Sequence, residues 1–129
     1  MSREKKFYNH KGITIKTISK DSWSMKEGQR MLIATPEVID WYIRTIPRWE
    51  FREIKQMRED LAKKFEVDIV CPMTTAMFTR IVAERAYEQY TTNTPIDEIC
   101  PFWRVIKADS ALGEKCTFGT KFISDNQNI

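Results

Sequence analysis

The stretch Pro101-Phe102-Trp103-Arg104-Val105-Ile106-Lys107-Ala108-Asp109-Ser110-Ala111-Leu112-Gly113 decides how the chain is read. Phe102 to Lys107 is β-prone through Trp103, Val105 and Ile106. Asp109 to Gly113 has turn chemistry. Lys115 to Phe118 is then expected to pair back as a second strand, and Gly119 to Ser124 to add a last helical turn. A C-terminal β-hairpin is therefore expected.

Working outward, three helices precede that hairpin. Thr35-Pro36-Glu37 combines a capping hydroxyl, a proline suited to the first helical position and an acid that complements the dipole. Val38, Ile39, Tyr42, Ile43 and Ile46 follow at helical spacing, and Pro47 ends the run. Ile54, Met57, Leu61 and Phe65 mark one face of a second helix, with Arg58, Glu59, Lys63 and Lys64 on the other. Val67 to Cys71 reads as a link. A third helix is expected to begin near Thr74 and to turn Met77, Phe78, Ile81, Val82, Ala86 and Tyr90 inward, ending between Thr91 and Pro95. Further toward the N-terminus, Ile13, Ile15 and Ile18 alternate with polar residues, Glu27-Gly28-Gln29 makes a turn, and Arg30 to Ala34 supplies a partner strand. Met1 to Lys11 is polar and expected to fray.

The chain of 129 residues bounds the answer to one domain's worth of core, with 42% apolar residues. Thirty per cent charged residues and four glycines argue against a turn-dense β fold. The order helix, helix, helix, hairpin is that of a winged helix-turn-helix, so the expectation is an α+β, mainly α fold with a small N-terminal β element. Residues 1–34 are expected to form an N-terminal extension with short strands, and residues 35–129 the winged-helix domain.

The net charge is +3. Met1 to Pro47 carries nine Lys/Arg against five Asp/Glu, and Arg48 to Ile129 twelve against thirteen, so the positive excess sits in the N-terminal third. A dedicated DNA binder usually carries its basic patch on the binding domain. Cys71, Cys100 and Cys116 have no metal-ligand spacing, and His10 is the single histidine, so neither a metal nor a cofactor is expected. The cysteines are expected to be reduced thiols of a cytoplasmic protein, and no apolar run reaches the length of a membrane span.

The same stretch carries a resemblance. Pro101-Phe102-Trp103-Arg104-Val105-Ile106, followed by Asp109, Leu112 and Gly113, is similar to the Pro-Cys-His-Arg-Val-Val/Ile and x-x-Asp-Gly-x-Leu-Gly motifs of the methylated-DNA–protein cysteine methyltransferase family. Ile46-Pro47-Arg48 resembles that family's Val/Ile-Pro-x-Gly, Thr79-Arg80-Ile81-Val82-Ala83 its Ala-Arg-Ala-Val-Gly, and Asn93-Thr94-Pro95 its Asn-Pro-x-Pro. Gly119 and Lys121 stand where the family has a glycine and a lysine. The resemblance covers Ile46 to Phe122, with a longer stretch between Arg80 and Pro101 than the family has.

The departures concern chemistry. Alkyl transfer needs an activated thiolate. Here Phe102 stands at the cysteine position and Trp103 at the histidine position, while Ile54 replaces a helix tyrosine and Trp49 a glycine. The resemblance therefore implies a non-enzymatic, alkyltransferase-like protein that binds double-stranded DNA and recognises alkylated or extruded guanine. The runner-up is a protein-interaction module that keeps the fold without DNA binding. A third option is an enzyme that uses Cys100.

Under the first reading Arg80 fills the gap left by an extruded base, Phe102 and Trp103 line the pocket, Arg104 beside them is largely structural and supports the wing, and Thr74 and Thr75 meet a phosphate at a helix N-terminus. The alternatives are a surface arginine paired with Glu84 at i+4, an ion-paired Arg104, and threonines that only cap their helix. Glu84 and Glu88 would repel phosphate if they faced DNA. Lys55, Lys63 and Lys64 read as a solvated face.

Overall fold

A computed structural model describes residues 2–8, 12–22 and 25–127. In chain order the elements are α1 (Arg3–Tyr8), β1 (Thr14–Thr17), β2 (Arg30–Ile33), α2 (Pro36–Arg44), α3 (Ile54–Lys64), β3 (Ile69–Val70), α4 (Pro72–Thr91), a 3-10 turn (Phe102–Arg104), α5 (Ala111–Lys115) and α6 (Lys121–Gln127). The fold is α+β and mainly helical, with one three-stranded sheet of order β1-β2-β3.

The three long helices lie where their caps and periodicity place them. Thr35 accepts a hydrogen bond from the Val38 N–H at 3.2 Å, and Pro36 occupies the first turn of α2. Both α3 and α4 end in paired 6→1 and 5→2 hydrogen bonds. Val67 N–H bonds the Ala62 carbonyl and Glu66 N–H that of Lys63, while Thr94 bonds Gln89 and Asn93 bonds Tyr90. The turning residues, Glu66 and Asn93, have positive φ. That geometry satisfies orphan carbonyls and stops the helix.

The N-terminal hairpin pairs antiparallel, Thr14 opposite Ile33 and Thr17 opposite Arg30. The link after α3 contributes a third strand, because Ile69 and Val70 pair in parallel with Met31 and Leu32. Leu32 and Val70 are buried in the same core as α2, α3 and α4. Phe7, Leu32 and Ala34 thus share one core with the helices that follow. The described part of the first eleven residues is helical rather than frayed. Phe7 of α1 is buried, the Arg85 guanidinium lies 4.0 Å from its ring centroid, and Arg85 donates to the Glu4 carboxylate at 2.9 and 3.2 Å. His10 lies outside the described residues.

The expected C-terminal hairpin is replaced. Where two strands were expected, the chain forms the 3-10 turn, α5 and connecting turns. Pro101 has φ −80° and ψ 67°, and the Phe102 N–H reaches back to the Cys100 carbonyl at 2.8 Å. This is an inverse γ-turn, which reverses the chain before a strand can start. Ile99, Cys100, Phe102, Trp103, Val105 and Ile106 are all buried, so the segment has no solvent face to alternate with. Gly113 then packs against the turn's exit. A Cβ there would come within 2.3 Å of the Lys107 carbonyl oxygen.

Phe102 is fully buried (0% exposed) within an aromatic cluster. Its ring lies 5.5 Å from Phe118 and 5.8 Å from Phe122, and Tyr87 of α4 stacks on Phe118 at 4.3 Å. These contacts fasten the C-terminal segment to α4. Glu84 adds a polar tie. Buried on α4, it accepts hydrogen bonds from the Thr117 N–H at 3.1 Å and from its hydroxyl at 2.7 Å.

Glu84→Ala is expected to lower the chain's stability to urea by about 1–3 kcal/mol, because the Thr117 N–H loses its acceptor. Glu88→Ala, which breaks an exposed pair with Arg3, is expected to change it by less than about 1 kcal/mol. Equal midpoints for both variants would contradict this assignment.

Candidate functional site

The six residues singled out in the sequence fall into three places. Thr74 and Thr75 open α4, but their hydroxyls donate back to the Cys71 carbonyl at 3.5 and 2.6 Å. Thr75 is fully buried and its hydroxyl is spent on a carbonyl one turn back, so it neither caps the helix nor meets a phosphate. Thr79 behaves alike, donating to the Thr75 carbonyl at 2.6 Å. These threonines take the inward face, and Met77, expected inside, is 52% exposed with Met73 at 82%.

Arg80 lies on the same face of α4 as Met73 and Met77. It lines a hollow of about 450 Å³ with Arg3 and Lys6 of the N-terminal segment and with Met77 and Ile81. Arg80 makes no hydrogen bond or ion pair among the described residues, Glu84 included. Glu84 is turned to Thr117, and Glu88 pairs with Arg3 at 3.3 Å. The first turn of α4 carries no acid. Arg3 and Lys6 had no signal in the sequence, since only the fold brings α1 to α4.

Phe102, Trp103 and Arg104 are consecutive in the 3-10 turn but face different surroundings. Phe102 belongs to the aromatic core and lines no hollow described here. Trp103, 6% exposed, forms a wall shared by two adjoining hollows of about 280 and 620 Å³. Its Nε1–H, buried from water, has no acceptor among the described residues. Arg104 donates from Nη1 to the Ile46 carbonyl at 2.7 Å, and the Arg52 N–H bonds the Arg104 carbonyl at 2.8 Å. The turn and the loop at residues 46–53 are thus locked together. Burial, and then the neighbouring Arg48 guanidinium, push Arg104 below the ordinary arginine value.

That loop presents Trp49. The Glu50 N–H closes a turn on the Pro47 carbonyl at 3.1 Å, and Trp49, its third residue, has φ 78°. A bulky side chain there is strained by roughly 1–2 kcal/mol relative to glycine. The indole is 65% exposed, with the Arg48 guanidinium 4.9 Å from its centroid. Phe51 lies beside it under Lys107, which pairs with Glu53 at 2.8 Å. In the sequence Trp49 reads as the residue where a glycine is expected after Ile46-Pro47-Arg48, and as a core or rim residue rather than a stacking platform, whereas the structure leaves most of it exposed. Arg48, Phe51 and Lys107 were not singled out at all.

None of this resembles a thiol active site. Burial raises the Cys100 thiol well above its ordinary value, and it donates weakly to the Asp40 carbonyl at 3.9 Å. Burial, then the Glu84 carboxylate, raise Cys116 to about 11. Among the described residues no group of His, Cys, Asp or Glu is arranged to hold a metal ion, and no helix is long and apolar enough to cross a membrane.

Comparison of the chain with protein-family models, with curated proteins and with solved structures gives no match.

In the native chain, iodoacetamide is expected to label Cys71, which is partly exposed, and to leave Cys100 and Cys116 unmodified until denaturant is added. Intact mass distinguishes one adduct from three. Rapid native labelling of Cys100 would overturn the assignment of an inert thiol.

Proposed function

We propose that the chain is a non-catalytic DNA-binding protein of the alkyltransferase-like kind, with α3 and α4 as its helix-turn-helix and the exposed face of α4 toward DNA. The observation that carries the reading is the state of the charges on α4. Of its two carboxylates Glu88 is paired with Arg3 and Glu84 is turned to Thr117, and Arg80, which makes no ion pair among the described residues, lines one hollow with both acids and with Arg3 and Lys6. The resemblance of Thr79-Arg80-Ile81-Val82-Ala83 to the methylated-DNA–protein cysteine methyltransferase family puts the same arginine next to an extruded base. Met77, one turn earlier, is an apolar side chain of the kind that wedges between base steps.

In this reading the wing is not a β-hairpin, and the connection between the two helices includes β3 rather than a tight turn. The aromatic at the lost cysteine position is a core residue. Recognition of an alkylated guanine would then rest on α4 and on the groove it enters, not on a thiol pocket.

Exposed Met73 and Met77 favour one rival, a protein-interaction module, because methionine-rich surfaces adapt to apolar partners. A salt series separates the two. Duplex DNA is expected to bind with log K falling against log salt, and Arg80→Ala is expected to reduce that slope by about one, the value for one phosphate contact. Arg80→Ala is expected to weaken binding to a duplex carrying O6-methylguanine by about tenfold, more than it weakens binding to the undamaged duplex. No binding at low salt would leave the interaction module as the better reading. Salt-dependent binding that ignores the lesion would reduce the protein to a general DNA binder.

A further inference from the structure

The hollows beside Trp103 share no lining residue with the Arg80 hollow. Together they bring Arg44, Arg48, Arg104 and Lys107 against Glu50 and Asp97. Arg44 is engaged by Asp40 at 2.7 Å and Lys107 by Glu53. Glu50 lies 3.9 Å from Arg52. Arg48 and Arg104 are left as two neighbouring guanidiniums with no carboxylate partner among the described residues. Arg104 is held in place by the Ile46 carbonyl, while the exposed Arg48 lies against the Trp49 ring. Two neighbouring guanidiniums offer charged donors to an anion.

The rest of the lining asks for a planar group. Trp49 is held out by a strained backbone, one side of its indole near Arg48 and most of its surface open. Phe51 flanks it. Trp103 forms the wall that the two hollows share. The volumes are in the range of small-molecule sites. An anion site and a stacking face together are the requirements of one ligand class.

We propose that the cleft between residues 47–53 and the 3-10 turn binds an unpaired nucleotide, with the base on Trp49, the phosphate between Arg48 and Arg104, and the Trp103 ring as the wall of the cleft. The site stands on its own geometry and does not require the Arg80 surface to bind DNA. A mononucleotide and the end of a single strand share this chemistry, and the arms of the test separate them.

The test uses the full chain labelled with nitrogen-15, in which each of the four tryptophans gives its own indole N–H signal. Deoxyadenosine monophosphate, inorganic phosphate and a single-stranded deoxyadenosine oligomer are titrated in turn. The nucleotide is expected to shift the Trp49 and Trp103 signals and leave Trp41 in place. Phosphate alone is expected to leave Trp49 unmoved. Trp49→Gly removes the stacking face at a backbone position that favours glycine, so it is expected to fold with a denaturation midpoint no lower than that of the parent chain and to bind the nucleotide about tenfold more weakly. Arg48→Ala is expected to weaken binding likewise, and Arg80→Ala to leave it unchanged. Tighter binding of the oligomer assigns the site to a strand, and equal binding assigns it to the free nucleotide. No movement of Trp49 or Trp103 at millimolar nucleotide, or unaltered affinity in Trp49→Gly, overturns the proposal.

Discussion

The burial of Phe102 sets the terms for everything around it. Full removal of a phenylalanine side chain from water contributes on the order of 2–3 kcal/mol, and its loss from a packed core costs about 3–5 kcal/mol. The Pro101 turn directs this side chain into the rings of Phe118 and Phe122, which α4 holds through Tyr87. In a tight 3-10 turn successive side chains cannot follow one another into the same pocket. Trp103 is therefore set at the edge of the core, and Arg104 reaches the Ile46 carbonyl. Gln127 of α6 closes the arrangement by donating to the Trp103 carbonyl at 2.9 Å. One buried ring thus places the cleft, its arginine and the loop that carries Trp49.

The parts of the fold that were legible in the sequence are those fixed by local rules. Thr35-Pro36 starts α2 because both residues satisfy the requirements of a helix N-terminus without outside help. The hairpin of β1 and β2 follows from alternation and a glycine turn. The parts that were not legible depend on partners distant in sequence. A six-residue α1 with one apolar anchor has too little helical signal of its own. It exists because Arg85 binds Glu4 and covers Phe7. Residues 102–107 read as a strand since Trp, Val and Ile favour strands, yet Phe102, Trp103, Val105 and Ile106 are all buried and the preceding proline turns the chain. Met77 was assigned to the interior because it is apolar. The interior instead holds Thr75 and Thr79, whose hydroxyls find carbonyls one turn back and so carry no unsatisfied donor inward.

The candidate sites were legible to a lesser degree, and for a related reason. A tryptophan where a glycine is expected is visible in the sequence as a departure. Only the backbone explains it: Trp49 occupies a left-handed position that glycine would adopt without strain. The Arg80 surface was half visible. The helix spacing gave Arg80, while Arg3 and Lys6 come from a segment whose docking no periodicity announces.

Charge makes the same point more sharply. The segment from Arg48 to Ile129 carries one more acid than base, which by itself argues against an anionic partner. A count of this kind treats every charge as equally available to solvent. In the folded chain some of the carboxylates are held by a cation, as Glu53 is by Lys107, Asp40 by Arg44 and Glu88 by Arg3, while Glu84 and Asp60 accept from the neutral hydroxyls of Thr117 and Tyr42. Arg48, Arg80 and Arg104 have no such carboxylate among the described residues. A field at the surface follows from charges that are not locally compensated, and at physiological salt it acts over about 8 Å. At that range the arrangement of the arginines outweighs the sum, and a domain with a slightly negative total can still present two positive surfaces to anionic ligands.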